Sequence, residues 1–322
     1  MMTECLFLDI YMTDGSRCMP KRPCAILVTP DNKTILCGDK FGDVYSLPLI
    51  PQVSQDTDSA QDVAKISEAL PKAYVPTASN LTVHTARNRR ALESQLRQKD
   101  LQAKTKEALK FDHQLLLGHV SMLTDVLFTT QVVDEHTRNF IITSDRDEHL
   151  RISRGPPQAH VIERYCLGHK EFISKLCLLP ETSVFVSGGG DDWLGLWDLL
   201  SGEMHGRVDV KAAINEFSLQ TQPSLQHEDD DAIRVAVSGI WAVKEPESGS
   251  NVLLFASERV PAVFVVLAST TRMESIRPTA IKLPGNPLDI STSGSSIIVS
   301  VDTSKVTILV TGRLHDTQLT IL

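Results

Sequence analysis

Two sets of residues in this chain have the types that do chemistry together. One is His119, Thr143 and Asp147; the other is His169, Ser187 and Asp191. A histidine held between a carboxylate and a hydroxyl can activate the hydroxyl for acyl transfer. That use needs the serine on a strained turn, often G-x-S-x-G, beside an oxyanion hole. Ser187 instead lies in VFVSGGG, which reads as a strand. The other use is structural. Aspartate in a tight turn accepts from the imidazole, the imidazole bridges to the hydroxyl, and the hydroxyl meets the indole N–H of Trp197. Such a buried network stabilises only when every member is satisfied. In the first set Ser153 stands where the second has Trp197. The glycines at 188–190 are not a phosphate-binding loop, because no Lys-Ser/Thr and no helix start follow them. They read as the approach to the turn that holds Asp191.

The elements that position both sets come from one pattern present twice. It opens LGHVSMLTDV and closes ITSDRDEHLRIS, then opens LGHKEFISKL and closes VSGGGDDWLGLWD. The two Gly-His pairs are 50 positions apart, and Asp147 and Asp191 are 44 apart. A period of roughly 40–45 residues, from Gly-His to Trp-Asp, marks a WD40 propeller blade. The fold expected over residues 1–322 is an all-β WD40 β-propeller. Strands CAILVTP, ILCGD and FGDVYSLPL, separated by Asp/Asn/Gly turns, read as the end of an earlier blade, with Phe41 at the place of Asp147 and Asp191. Phe41 and Asp147 are 106 positions apart. Removing residues 51–112 restores the spacing of 44, so those residues read as an insertion between blades. Its first half is polar and unpatterned, as disordered segments are. Its second half, 87–110, carries a partial apolar stripe (Ala91, Leu92, Gln95, Leu96, Leu101) that suits a helix. Further on, IRVAVSGIWAV, NVLLFASE and AVFVVLA form one set of strands. IKLPGNPLDIST, SSIIVSVD and KVTILV form another, and RLHDTQLTIL shows no closing strand. About five blade-like units are recognisable.

With 322 residues and 42% hydrophobic content the chain can bury a large core. A net charge of −8 argues against binding nucleic acid with the whole surface. The six cysteines form neither C-x-x-C nor zinc-finger spacing with histidine, so no metal is expected and they read as small buried hydrophobes. No apolar run reaches the roughly 18 residues of a membrane span. The N-terminus lacks the basic start of a signal peptide. A nuclear or cytosolic protein is expected.

The stretch SDRDEHLRISR is unusual for a blade, which ordinarily has Asp-Gly-Thr at this turn. It packs Asp145, Arg146, Asp147, Glu148, Arg151 and Arg154 together. Strand alternation puts His149 and Arg151 on one face and Leu150 and Ile152 on the other. Such a run suits either a solvated edge or a salt-bridged contact with a partner.

Three stretches resemble one family: MPKRPCAILVTPDNKTILCGDKFGDVYSLPL, ITSDRDEHLRISRGPPQAHVIERYCLGHKEFISKLC and VSGGGDDWLGLWDLLSG. They look like the WD-repeat, non-catalytic subunit of the tRNA (guanine-N7)-methyltransferase of fungi. The resemblance is weak beyond Asp209. It implies a seven-bladed propeller that performs no chemistry. The propeller would stabilise and activate a Rossmann-fold catalytic subunit in a heterodimer in the nucleus. That partner, not this chain, would bind S-adenosylmethionine, contact most of the tRNA and methylate guanine 46 of its variable loop. The resemblance makes Arg151 a salt-bridging residue for the partner, with Asp145, Arg146, Glu148 and Lys170 around it.

Two other readings compete. A generic WD40 adaptor, such as a ubiquitin-ligase substrate receptor, would keep Asp-Gly-Thr turns. A propeller hydrolase would converge ligands or a nucleophile on a central channel, and no carboxylate–histidine set is so placed. The eight Lys/Arg against three acidic residues in 87–110 suit solvent or tRNA phosphates.

Overall fold

Strands form where β-branched and aromatic residues alternate with polar ones, and Asp/Asn/Gly turns fold each strand onto the last. The computed structural model describes residues 19, 21–50, 89–90, 93, 111–221, 234–245, 249–268, 277–293, 296–303, 307–313 and 320–321. The chain divides into two compact units, Met1–Pro20 with Ile50–Asp112 and Lys21–Leu49 with His113–Leu322. In the first, Arg89, Arg90 and Glu93 are helical, within the stretch expected to be a helix. The remainder of the insertion and the expected strand CLFLDIYM lie outside the described residues.

Among its described residues the second unit holds five four-stranded antiparallel sheets, each built from consecutive strands. Blade one is β1 (Pro23–Val28), β2 (Thr34–Asp39), β3 (Asp43–Pro48) and β4 (Gln114–Gly118). Blade two is β5 (Leu123–Val133), β6 (His136–Asp145), β7 (Leu150–Arg154) and β8 (Ile162–Cys166). Blade three is β9 (Ile173–Leu178), β10 (Val184–Gly189), β11 (Trp193–Asp198) and β12 (Met204–Asp209). Blade four is β13 (Val237–Lys244), β14 (Asn251–Ser257), β15 (Ala262–Ala268) and β16 (Thr279–Lys282). Blade five is β17 (Asn286–Ser293), β18 (Ser296–Asp302), β19 (Thr307–Arg313) and β20 (Thr320–Ile321). The first strand of each blade touches the first strand of the next, from β1 through β17, which is propeller packing.

The sequence repeat and the blade are offset. Each copy begins at the end of one blade, within β4 or just after β8, and ends in the third strand of the next (β7, β11). One repeat therefore ties two blades. Apolar clusters fill the seams: Leu150, Ile152, Cys166, Ile173, Phe185 and Trp197 join blades two and three. Val186, Leu196, Leu253, Phe255 and Phe264 join three and four.

Three features differ from the sequence reading. Ile281 and Lys282 close blade four in β16, and the chain passes to blade five only after Gly285, so IKLPGNPLDIST belongs to two sheets. Thr320–Ile321 supplies a short closing strand paired with β19 where none was expected. A helix, α1 (Val210–Thr221), joins blades three and four. Asp209 caps it by accepting from Ala212 N at 2.8 Å, as N-cap aspartates do. Val210, Ala213, Ile214 and Phe217 are buried at helical spacing, and Phe217 meets Phe264 edge-on at 6.2 Å. That i, i+3, i+4, i+7 pattern is in the sequence, but the β-strand rhythm around it masked the change of period.

A recurrent β-bulge was not anticipated. Every first strand slips register by one residue at its start, at Cys24, Thr124, Ser174, Ser238 and Leu288. Bulges re-aim side chains, and the residues at or just after them stitch blades together. Asp125 Oδ2 accepts from Leu176 N at 2.8 Å, linking blades two and three. Ser174 Oγ donates to Val237 O at 2.6 Å, linking three and four. Trp241 Nε1 donates to Asp289 Oδ1 at 3.0 Å, linking four and five.

Candidate functional site

In blade three the four residues expected to form a network do so. His169 Nδ1 lies 2.7 Å from Asp191 Oδ2, and its Nε2 lies 2.7 Å from Ser187 Oγ. Trp197 Nε1 donates to Ser187 Oγ at 2.7 Å. The indole N–H occupies the serine as acceptor, so the serine hydroxyl donates to Nε2 and Nδ1–H donates to aspartate. Burial pushes the His169 pKa down, against the upward pull of Asp191, which keeps this neutral tautomer. Asp191 also accepts from the backbone N–H of Lys170 at 3.2 Å. Trp193 stacks on the imidazole at 4.5 Å, and the Arg207 guanidinium lies 4.1 Å over the other ring. Ser187 is 0% exposed with its oxygen committed on both sides, so it has no access to a substrate. This geometry removes Ser187 as a nucleophile.

Blade two departs from the expected set at the acid. His119 Nε2 lies 2.7 Å from Thr143 Oγ1 as anticipated, but Nδ1 meets Asp145 Oδ2 at 3.0 Å, not Asp147. Asp147 is exposed in the turn, and its N–H donates to Asp145 Oδ1 at 2.9 Å. The reason is local. Blade three has Gly189 at the place of Asp145, and a Cβ there would lie 1.8 Å from Phe172 O. Its carboxylate must come from the turn, whereas blade two supplies one directly from the end of β6. Burial works upward on the Asp145 carboxyl, but hydrogen bonds from His119 and from the His149 and Asp147 N–H groups outweigh it and hold it below the usual range. The His119 pKa is pushed down, first by burial, with Arg151 adding to the effect. Asp145 is thus a network residue at 2% exposure rather than the partner contact expected of it.

Arg151 also differs from expectation. It is 6% exposed, so the alternation that put it on an open face does not hold; β7 is buried on both faces. Its Nη1 donates to Gly118 O at 3.1 Å. Burial presses its pKa down, while Tyr165 and Asp145 support the charge. Register explains the position. Arg151 is opposite Thr143, as Gly195 is opposite Ser187. Gly195 has no side chain because a Cβ there would lie 2.7 Å from Trp197 Nε1. The Trp197 ring of blade three reaches Gly168, after β8, and the Arg151 guanidinium of blade two reaches Gly118, the equivalent glycine at the end of β4. Arginine over serine in blade two therefore fills the space that tryptophan over glycine fills in blade three. The exchange is imperfect, because Arg151 Nε and Ser153 Oγ are buried without partners.

The remaining expected residues gather at one end of blades two and three. Arg146, Asp147, Glu148 and His149 are exposed in the β6–β7 turn, and Lys170 is exposed in the β8–β9 connection. Arg146 N donates to Met122 O at 3.0 Å, which fixes this turn against the β4–β5 connection. Exposed apolar residues share that end: Val120 at 107%, Met122 at 37% and Phe172 at 38%. In the neighbouring β2–β3 turn, Phe41 is 53% exposed beneath Lys21 and Lys40. Glu148 has φ +69°, whereas the matching residue of the β2–β3 turn is Gly42 at φ +93°. A left-handed glutamate costs about 1–2 kcal/mol that glycine avoids. Sequence reasoning passed over Val120, Met122 and Phe172, whose signal is that each is apolar at a Gly-His connection.

Of the four described cysteines, Cys37 and Cys166 are buried and Cys177 is half-buried, but Cys24 is exposed, against the expectation of burial. Burial pushes the Cys166 and Cys177 thiols up to about 12. Among the described residues no cluster of three His, Cys, Asp or Glu is placed to hold a metal, and no helix is long and apolar enough to cross a membrane.

Blades locked by His–Ser/Thr–Asp networks whose hydroxyls are fully buried, with an exposed charged end, define a WD40 protein whose networks are structural. Residues 12–318 match the family described as the tRNA methyltransferase TRM82 WD40 domain, and the chain belongs to that family. It is 42% identical over 295 residues to the tRNA (guanine-N(7)-)-methyltransferase non-catalytic subunit of Sclerotinia sclerotiorum, covering 89% of this chain and 55% of that protein. It is 45% identical over 319 residues to the Coccidioides immitis subunit of the same name, covering 93% and 59%. The Vanderwaltozyma polyspora subunit is 30% identical over 263 residues, covering 80% and 45%. The chain thus spans little more than half the length of the first two relatives. Among solved structures it is similar to one titled "Structure of U3-55K", with TM-score 0.47 and 12% identity over 94% of this chain and 64% of that one. Membership in this family replaces the generic-adaptor reading.

Proposed function

We propose that this chain is a non-catalytic scaffold of a tRNA (guanine-N7)-methyltransferase, acting in the nucleus to stabilise and activate a catalytic subunit as a heterodimer. S-adenosylmethionine and most tRNA contacts belong to that subunit in this reading, and the product is N7-methylguanosine at position 46. The observation that carries it is the match over residues 12–318 together with the charged, partly apolar end of blades two and three. Arg146, Glu148 and Lys170 are the contact residues. Arg151 stands behind them, holding β7 against Gly118, with only its margin at the surface. A left-handed Glu148 supports a role outside the fold, because strain that glycine would relieve persists where a side chain is needed.

The test is co-purification with the catalytic subunit. Arg146→Glu with Lys170→Glu is expected to lower capture at least about tenfold with an unchanged urea midpoint. Arg151→Glu is expected to lower both. Full capture by the double variant would refute the contact residues. Methyl transfer by the isolated chain would refute the scaffold reading.

A further inference from the structure

The first two strands of blade two are longer than their counterparts. β5 has 11 residues and β6 has 10, while β1, β2, β9 and β10 each have 6. The third strand, β7, has only 5 and pairs with β6 from Phe140 to Ser144. Below Phe140, Gly155 N donates to Asn139 O at 2.6 Å, and the chain then turns away. This close approach needs glycine, since a Cβ on Gly155 would lie 2.3 Å from Asn139 Cβ. Backbone groups of alternate residues face the same side of a strand. Thr137 therefore points its N–H and C=O where Asn139 does, into the gap β7 has vacated.

That gap is a cleft of about 390 Å³. One wall is Thr137–Asn139, all exposed, and the other is Pro156, Pro157 and Gln158. Two guanidinium groups rim it. Arg138 has its side chain 50% exposed and a single long ion pair with Asp134, at 3.8 Å. Arg154 is 43% exposed and is held by Glu163 and by Gln158 Oε1, the latter at 2.7 Å. We infer that the open edge of β6 at Thr137, with its arginine-rimmed cleft, is a docking site for an extended acidic segment of a partner protein. The segment adds to blade two in line with β7. Its main chain pairs with Thr137, and its carboxylates meet Arg138 and the free side of Arg154. Strand addition draws affinity from main-chain hydrogen bonds and selectivity from the flanking side chains. A nucleic-acid backbone offers no ladder partner for Thr137. The site lies at the opposite end of blade two from the Arg146–His149 turn, so it stands or falls independently of the methyltransferase contact.

The experiment uses the full chain and a fluorescein-labelled eight-residue peptide alternating valine and glutamate, read by polarisation. Its lysine–valine analogue and a labelled oligouridylate are run beside it. The glutamate peptide is expected to bind, and the lysine peptide at least about tenfold more weakly. Thr137→Pro removes the edge N–H without touching the β5–β6 ladder, and Arg138→Glu inverts the rim; each is expected to weaken binding at least about tenfold. Thermal midpoints are measured so that an unfolded variant is recognised, and Thr137→Ala, which keeps the N–H, is expected to bind as the unaltered chain does. Equal binding of both peptides, undiminished binding by folded Thr137→Pro, or tighter binding of the oligouridylate at the same cleft would each overturn the inference.

Discussion

Exchanging the Gly195/Trp197 pair into blade two should separate packing from charge at Arg151. Ser153→Trp alone puts an indole where the guanidinium already lies, and overpacking of this kind costs typically about 1–3 kcal/mol. Arg151→Gly alone empties that space in a strand buried on both faces. Its cost includes the cavity, about 2–5 kcal/mol for large-to-small changes, and about 0.5–1 kcal/mol for glycine in a strand. The double variant restores the blade-three arrangement, in which a side chain on residue 195 and the ring of Trp197 exclude each other at 2.7 Å. With the guanidinium gone the introduced indole can also donate to Thr143 Oγ1, whereas the two buried orphan atoms, Arg151 Nε and Ser153 Oγ, are lost one in each single variant and so do not enter the coupling. That hydrogen bond is worth about 0.5–1.5 kcal/mol, added to the overpacking of about 1–3 kcal/mol that the double variant relieves. The double variant is therefore expected to be at least about 2 kcal/mol more stable than the two single costs together imply. Urea unfolding of all four proteins forms a double-mutant cycle. Single costs that add to within about 0.5 kcal/mol would refute the shared-space argument.

Stability should fall as pH drops through 6.5, because burial holds His119 and His169 below that value in the folded chain. Groups depressed on folding contribute stability above their unfolded pKa that is lost as pH falls; Asp145, held below 3.8, adds a second loss further down. Urea midpoints between pH 7.5 and 5 check this, and a slope unaltered in His169→Gln would count against the histidine assignment. Asp125 runs the other way: burial raises its carboxyl pKa, opposed by Leu176 N–H and Lys175, so its charge is a burden at neutral pH. Asp125→Asn, which keeps an acceptor for Leu176 N, should be at least as stable as the unaltered chain. Asp125→Ala should lose about 1–3 kcal/mol by orphaning that N–H; equal stabilities would show that the blade two–three link is inert. Glu148→Gly should gain about 1 kcal/mol by relieving the left-handed turn, while co-purification with the catalytic subunit weakens. Unchanged capture would remove Glu148 from the contact.

The blade period and the blade-three network were legible because each rests on local spacing, but the insertion was expected between blades, whereas β3 pairs with β4 and residues 51–112 fall within the sequence of blade one. Gly-His, the strand hydroxyl, the turn aspartate and Trp-Asp recur within one repeat, and turn chemistry reads directly from residue type. Five blade-like units were also countable from strand rhythm. The sequence did not separate Asp145 from Asp147, because both are two-position neighbours in one acidic run. Which carboxylate reaches His119 depends on whether the strand or the turn comes closer. Nor did it reveal that Arg151 is buried. Alternation assigns faces relative to one sheet, but β7 lies between two neighbouring strands and against the adjacent blade, so both its faces are interior. The register that sets Arg151 in Trp197's space, the bulges that join blades, and the edge left open at Thr137 all depend on residues far apart in the chain. Types and spacing determined what the repeats are built from. Only the packing of one blade on the next decided which charged groups are committed to the fold and which remain free to meet a partner.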